Sequence, residues 1–121
     1  MAEAVDGIGG VFFRARDPDG VRAWYAEHLG IDMESYGTTF TAKEGDQTVW
    51  APFPFDSDYF GSSGQQLMVN FRVHDLDAML GQLRAAGVAV DDDVAEHEFG
   101  RFGWATDPEG NRFELWEPPR D

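Results

Sequence analysis

The stretch that decides the fold covers residues 99–118 and reads FGRFGWATDPEGNRFELWEP. Its aromatic residues are typical of β-strands, and they lie on both sides of DPEGN at 107–111, which is typical of a tight turn. Pro108 fixes φ at the second position of such a turn, and Gly110 tolerates the positive φ that a later position requires. The stretch therefore predicts a β-hairpin.

Glu114 is the residue of this hairpin that points to a function. Because side chains alternate along a strand, its carboxylate lies on the face opposite to Phe113 and Leu115. Arg112 and Trp116 share the face of Glu114 by the same two-residue period. If that face borders a cavity, Glu114 is a candidate catalytic or ligand-binding group; if it borders solvent, Glu114 is an ordinary surface charge.

Size and composition favour one packed domain. A chain of 121 residues buries about two-thirds of its unfolded surface. The absence of cysteine excludes disulfides and thiolate metal sites. Residues 1–6 lack the segments of a signal peptide, and no apolar run approaches the length of a membrane span. We therefore expect a cytoplasmic protein with no membrane partner.

The net charge of −14 sets expectations about partners. It results from 23 acidic residues against 9 basic ones. Such a surface repels nucleic-acid phosphate, so we expect no DNA or RNA partner. It favours cationic ligands, although a solvated acidic coat explains the same composition.

The two halves of the chain repeat one pattern. Residues 11–19 (VFFRARDPD) and 69–77 (VNFRVHDLD) share Val, Phe, Arg, Asp and Asp in register. In each copy a strand leads to an Asp N-cap, a helix with apolar residues at helical spacing, and a terminating glycine. The predicted strands outside the closing hairpin are 8–15, 38–42, 48–53 and 67–73, with a hairpin turn at 43–46, and the two helices end at Gly30 and Gly87.

These elements predict an α+β fold. Residues 1–121 form a single domain of two βαβββ modules, about 6–55 and 65–118, joined by a loop at 56–64. Two such modules share one core, and two curved sheets that meet face to face leave a concavity between them.

The chain resembles the vicinal oxygen chelate superfamily, also called the glyoxalase, bleomycin-resistance and extradiol-dioxygenase group. The doubled βαβββ pattern carries the resemblance, together with FRARDP at 13–18 before the first helix and DPEGNRFELWE at 107–117. The resemblance implies a curved mixed sheet around a central cavity. Family members of this size commonly form homodimers, so we expect a homodimer.

The family's enzymes hold a divalent metal in this cavity with His, Gln or Glu from four strands. The resemblance places Gly10, Trp50, Met68 and Glu114 at those four positions, and only Glu114 is a normal ligand. One carboxylate does not hold a catalytic metal, which typically needs about three protein ligands. We therefore expect no cofactor and no complete metal site, with Glu114 as the metal ligand only if a metal binds. His97 could approach the cavity from a loop.

The resemblance also indicates which residues would line the cavity. Phe12, Trp50, Met68 and Trp116 would form an apolar pocket with Asn70 and Glu114 as its polar groups; the alternative for each of these side chains is ordinary core packing. Arg14 is similar in place to an arginine that contacts a cofactor carboxylate in glyoxalase I enzymes, or it forms a structural ion pair. Tyr59 and Phe60 would cover the mouth of the pocket or form a dimer contact.

Three functions are compatible with these residues. The first is a small-molecule binding protein similar to the bleomycin-resistance proteins, which are acidic dimers that sequester a cationic aromatic ligand. The second is a lyase, isomerase or dioxygenase that uses a metal or uses Glu114 as a catalytic general base, since burial raises a carboxyl pKa toward that task. The third is a structural or regulatory domain.

Overall fold

The computed structural model describes Glu3 and residues 8–61 and 64–120. Outside this description lie most of residues 1–6, the segment in which we expect no signal peptide. Two residues of the predicted loop 56–64 also lie outside it. Neither helix in the described part of the chain is long and apolar enough to cross a membrane.

The described residues form two helices and one four-stranded sheet. The sheet has the order β1-β4-β3-β2, with β1 parallel to β4 and the other two pairs antiparallel. The second half of the chain is thus βαβββ, as predicted for that module. The elements in chain order are α1 (Pro18–Leu29), β1 (Asn70–Arg72), α2 (Leu76–Ala85), β2 (Ala95–His97), β3 (Gly100–Thr106) and β4 (Arg112–Glu117).

Both helices begin and end where the sequence predicted. The Asp17 carboxylate accepts a hydrogen bond from the backbone N–H of Gly20 at 3.1 Å, and Asp75 accepts one from Ala78 at 3.0 Å. These caps satisfy N–H groups that the first helical turn leaves without partners. Gly30 ends α1 in the left-handed conformation, with φ of 69°.

The core lies between α2 and one face of the sheet. Gly103 on β3 allows the close approach, because a Cβ there would lie 2.9 Å from a methyl group of Leu80. Trp24 and Tyr25 of α1 add edge-on or tilted ring contacts to Phe113 at 6.1 and 6.3 Å. The fully buried side chains of this core are Leu76, Leu80, Leu83, Ala105, Phe113 and Leu115.

The strands predicted in the first half are not formed. Residues 8–15, 38–42 and 48–53 have no regular structure, although the predicted turn closes with a 3.0 Å hydrogen bond from Asp46 N–H to Lys43 C=O. A strand needs a neighbour to pair its backbone groups, and within the described residues these segments have none. The two-module arrangement is therefore confirmed only for the second module.

The same contrast appears in solvent exposure. Of the thirteen large hydrophobic residues that are exposed in the described part of the chain, eleven precede residue 68. Phe12 and Trp50 are 94% and 85% exposed. The first half therefore contributes little beyond α1 to the core.

Candidate functional site

The register of the closing hairpin defines the surface around Glu114. Trp104 on β3 lies directly opposite Glu114 on β4, and Phe102 lies opposite Trp116. On the other side of β4, Asn70 of β1 is in register with Glu114. Since paired residues on neighbouring strands share a face, these five side chains lie on the face of the sheet that α2 does not cover.

Glu114 is held by three neutral donors. Its Oε2 accepts hydrogen bonds from the Tyr59 hydroxyl and, at 2.9 Å, from the indole N–H of Trp104. Its Oε1 accepts one from the Asn70 amide at 2.6 Å. The residue is only 7% exposed, and no cationic side chain in the described residues forms an ion pair with it. The site therefore contains a buried carboxyl group with no ion-pair partner among the described residues; the nearby Arg112 guanidinium lies over the Trp104 ring, 5.4 Å from its centroid.

Tyr59 lies over this carboxyl group. Its ring stacks on Phe53 at 5.3 Å and meets Trp104 edge-on at 5.8 Å. Its backbone carbonyl accepts a 3.2 Å hydrogen bond from Nε of Arg112. Burial, and after it the hydrogen bond to Glu114, raises the pKa of the Tyr59 phenol well above its ordinary value. Tyr59 is therefore a neutral donor at physiological pH.

An aromatic row crosses the sheet next to Glu114. It consists of His97 on β2, Phe102 on β3 and Trp116 on β4. The rings of Phe102 and Trp116 are nearly parallel, with centroids 6.1 Å apart, and His97 stacks on Phe102 at 4.9 Å. The indole N–H of Trp116 donates to the carbonyl of Phe99 at 2.8 Å, which fixes that ring. The row offers flat apolar surface beside an acid.

The structure brings some of the predicted site residues together and leaves others apart. Tyr59 and Asn70 contact Glu114 directly, and Trp116 lies on the same face. Phe12 and Trp50, expected in the pocket, are instead exposed, because their segments pair with no strand in the part of the chain that the structure describes. The remaining predicted lining residues differ in exposure: Arg14 is exposed and Met68 is half-buried.

Sequence reasoning did not assign Trp104, Phe102 or the stacking of His97 to the site. The hairpin register could have indicated Trp104 and Phe102, because a turn at 107–111 places Trp104 opposite Glu114 and Phe102 opposite Trp116. His97 lies in a strand and not in the expected loop. Its position depends on the pairing of β2 with β3, which no local pattern indicates.

The residues present do not fit the metal of the superfamily. In the part of the chain that the structure describes, no three His, Asp or Glu side chains are grouped so that they could hold an ion. At the other three positions that the resemblance assigned to ligands, Gly10, Trp50 and Met68 offer no side chain, an indole and a thioether, none of which is a normal ligand. Glu114 itself is already engaged by three protein donors.

Comparison with known proteins identifies the family. The sequence profile of the Glyoxalase/Bleomycin resistance protein/Dioxygenase superfamily matches residues 7–115. No curated protein matches the chain. A glyoxalase/bleomycin resistance protein from Streptomyces sp. CB03234 is 35% identical, but the alignment covers only 40% of this chain and 42% of that chain, with a TM-score of 0.38.

Two solved structures align over most of the chain. TnmS3, an antibiotic binding protein from Streptomyces sp. CB03234, has a TM-score of 0.62 and 24% identity over 98% of this chain and 100% of that chain. A superfamily member from Sphaerobacter thermophilus DSM 20745 has a TM-score of 0.52 and 20% identity over 85% of this chain and 90% of that chain. At these identities the likeness concerns the fold. With the profile match, it shows that the chain belongs to the glyoxalase/bleomycin resistance protein/dioxygenase superfamily.

Proposed function

We propose that this protein binds small cationic aromatic molecules and that it does so without a metal. The observation that carries the proposal is Glu114, a buried carboxyl group with three neutral donors and no ion-pair partner within the described residues. A buried charge is stabilised by an opposite charge at hydrogen-bonding distance. A ligand with a protonated nitrogen supplies that charge, and the aromatic row supplies a surface on which its ring stacks.

Two further observations support the proposal. The net charge of −14 attracts cations and raises their concentration at the surface. TnmS3, which shares the fold, is described as an antibiotic binding protein. A binding role needs no complete set of metal ligands, which agrees with the residues at the four positions.

A binding measurement tests the proposal. We expect the planar cation aminoacridine to bind, and the planar anion anthraquinone sulfonate to bind at least tenfold more weakly, in calorimetric titrations. Glu114→Gln removes the charge and keeps the shape, so it should weaken aminoacridine binding by about tenfold or more. Asp92→Asn removes one exposed charge elsewhere and should change the affinity less than twofold. Equal affinity of the wild type and Glu114→Gln for aminoacridine contradicts the proposal.

Metal analysis tests the same proposal from the other side. Stoichiometric Ni, Zn, Mn or Fe in the purified protein, lost in Glu114→Ala, would support a metal-dependent lyase, isomerase or dioxygenase instead. We expect sub-stoichiometric metal that does not depend on Glu114.

We also propose that the protein works as a homodimer. The apolar side chains exposed before residue 68 and the free outer edge of β1 support this arrangement, since unpaired strands and apolar patches are covered by association. Light scattering should give twice the mass of the chain. Phe12→Asp should shift the mass toward that of one chain, whereas Val94→Asp, in the second half, should not. A wild-type mass of one chain contradicts the dimer.

A further inference from the structure

We propose that Tyr59 is a built-in competitor for the ligand: in the free protein its hydroxyl occupies Glu114, and a cationic ligand binds by displacing it. This inference rests on the proposed binding function and adds to it the control of the site. It makes Tyr59 the residue that sets how strongly a ligand must bind Glu114 before the site opens.

The three donors to Glu114 differ in how the fold holds them. Trp104 belongs to β3 and Asn70 to β1, so the sheet fixes the backbone of both. Tyr59 belongs to residues 53–61, which contain no helix or strand. Of the three donors, Tyr59 is therefore the one whose removal disturbs no ladder of backbone hydrogen bonds.

The side chain of Arg112 connects residues 53–61 to the sheet. Arg112 holds the carbonyl of Tyr59, and its guanidinium lies 5.4 Å from the Trp104 ring centroid. Asp91 accepts from the same guanidinium at 2.6 Å, and each partner of this pair is partly exposed. Gly61 has φ of +83°, and a Cβ there would lie 3.0 Å from Cδ of Arg112. A few side-chain contacts close this segment, and they can open without unfolding the core.

The Tyr59 hydroxyl and a cationic ligand form hydrogen bonds of different strength with Glu114. A neutral hydroxyl on a carboxylate forms a charge-assisted hydrogen bond, and a cationic N–H group adds to such a bond the direct attraction between opposite charges. A cationic ligand therefore gains free energy when it replaces Tyr59 on Oε2, whereas an uncharged ligand does not. Part of the gain offsets the loss of the Phe53 and Trp104 ring contacts with Tyr59. Displacing Tyr59 thus costs every ligand the same free energy, and a cation regains more of it from Glu114 than an uncharged ligand does.

Removing the hydroxyl tests the inference. Tyr59→Phe leaves Oε2 of Glu114 open to the ligand, so aminoacridine should bind about three- to tenfold more tightly than to the wild type. Tyr25→Phe is the matched control, because it deletes another buried hydroxyl that donates to a carboxylate, Asp107 at 2.7 Å. It should leave the affinity unchanged.

The outcomes separate this inference from the binding function. Equal or weaker binding by Tyr59→Phe overturns the displacement and leaves the binding function standing. Binding by Tyr59→Phe alone supports the displacement, with closure too strong for the ligand to open. No binding by either protein overturns both.

Chemical modification provides a second readout. Nitration by tetranitromethane, followed at each tyrosine by mass spectrometry, reports how accessible the phenol is. Tyr36 is 81% exposed and should react throughout, and Tyr25 is 6% exposed and should stay protected. Aminoacridine should increase nitration of Tyr59 if the ligand displaces it. A decrease would show that Tyr59 covers the ligand, which overturns the inference.

Discussion

The closing hairpin contains two buried carboxylates, and each accepts a hydrogen bond from a tyrosine hydroxyl. Asp107 in the turn is 5% exposed and binds Tyr25, and Glu114 on β4 is 7% exposed and binds Tyr59. The two carboxylates are thus nearly equal in burial and in chemistry. They differ in where their other hydrogen-bond donors lie in the chain.

The other donors to Asp107 are local, and those to Glu114 are not. Asp107 accepts the backbone N–H groups of Glu109 and Asn111, each at 2.9 Å, and the Asn111 amide at 3.1 Å. These donors lie within four residues of Asp107, so they arrive with the turn itself. The donors to Glu114 are side chains 10, 44 and 55 residues away. Local backbone donors stabilise a turn, whereas distant side-chain donors form a surface that a ligand can use.

The largest effect should come from Asp107→Ala. It leaves the Tyr25 hydroxyl and two backbone N–H groups of a buried turn without their acceptor, so we expect the free energy of unfolding to fall by about 3 to 4 kcal/mol. Urea unfolding followed by circular dichroism measures this loss. Glu114→Gln should cost only about 1 kcal/mol, because the Gln oxygen still accepts and the Asn70 amide can flip to pair with the Gln amide. Equal losses would remove the distinction between the two carboxylates.

The two tyrosines should differ in the same direction. Tyr25→Phe removes a donor from the core side of the hairpin, and we expect a loss of about 1.5 kcal/mol in urea unfolding. Tyr59→Phe removes one from a segment with few fastenings, and we expect a loss of about 0.5 kcal/mol. A larger loss for Tyr59→Phe would show that residues 53–61 belong to the structural framework.

Two glycines permit a finer comparison of the same two regions. Gly110 in the hairpin turn and Gly61 beside Tyr59 have φ of +85° and +83°, so alanine is strained by about 1 kcal/mol at either position. A Cβ at Gly110 meets nothing within 4 Å, whereas one at Gly61 meets the side chain of Arg112. We expect a similar loss of stability for both alanine variants. Only Gly61→Ala should also increase nitration of Tyr59 in the free protein.

The smallest effect is absent at neutral pH. Burial, and after it Asp107, raises the pKa of Tyr25, and burial and Glu114 raise that of Tyr59. Both phenols keep their protons in the folded protein at a pH where the unfolded chain loses them. The stability that these two phenols contribute should therefore be constant from neutral pH up to pH of about 10 and fall above it. In urea unfolding above pH of about 10, the free energy of unfolding of each Tyr→Phe variant should fall less steeply with pH than that of the wild type. An unchanged slope in both variants would contradict the attribution of the fall to these two phenols.

Both helix starts and the closing hairpin could be predicted from the sequence because their signals are local. The caps at Asp17 and Asp75, the turn at 107–111 and the face of Glu114 each depend on a few adjacent residues. The strands predicted at 8–15 and 48–53 are not formed, since strand-like local residues do not suffice: a strand also requires a neighbour with a free edge. The bond between Tyr59 and Glu114 depends on the path of a loop, which side-chain alternation does not describe.

The position of β4 has a consequence for how the protein is made. β4 lies between β1 and β3, yet of the four strands it leaves the ribosome last. β1 and α2 are synthesised while the strand that joins them to the hairpin is still absent, so no two-stranded part of the sheet that includes β1 can form early. The strand that completes the sheet also carries Glu114. A nascent chain therefore acquires its buried carboxylate only in the step that completes its core, and no partly built sheet presents the proposed binding surface.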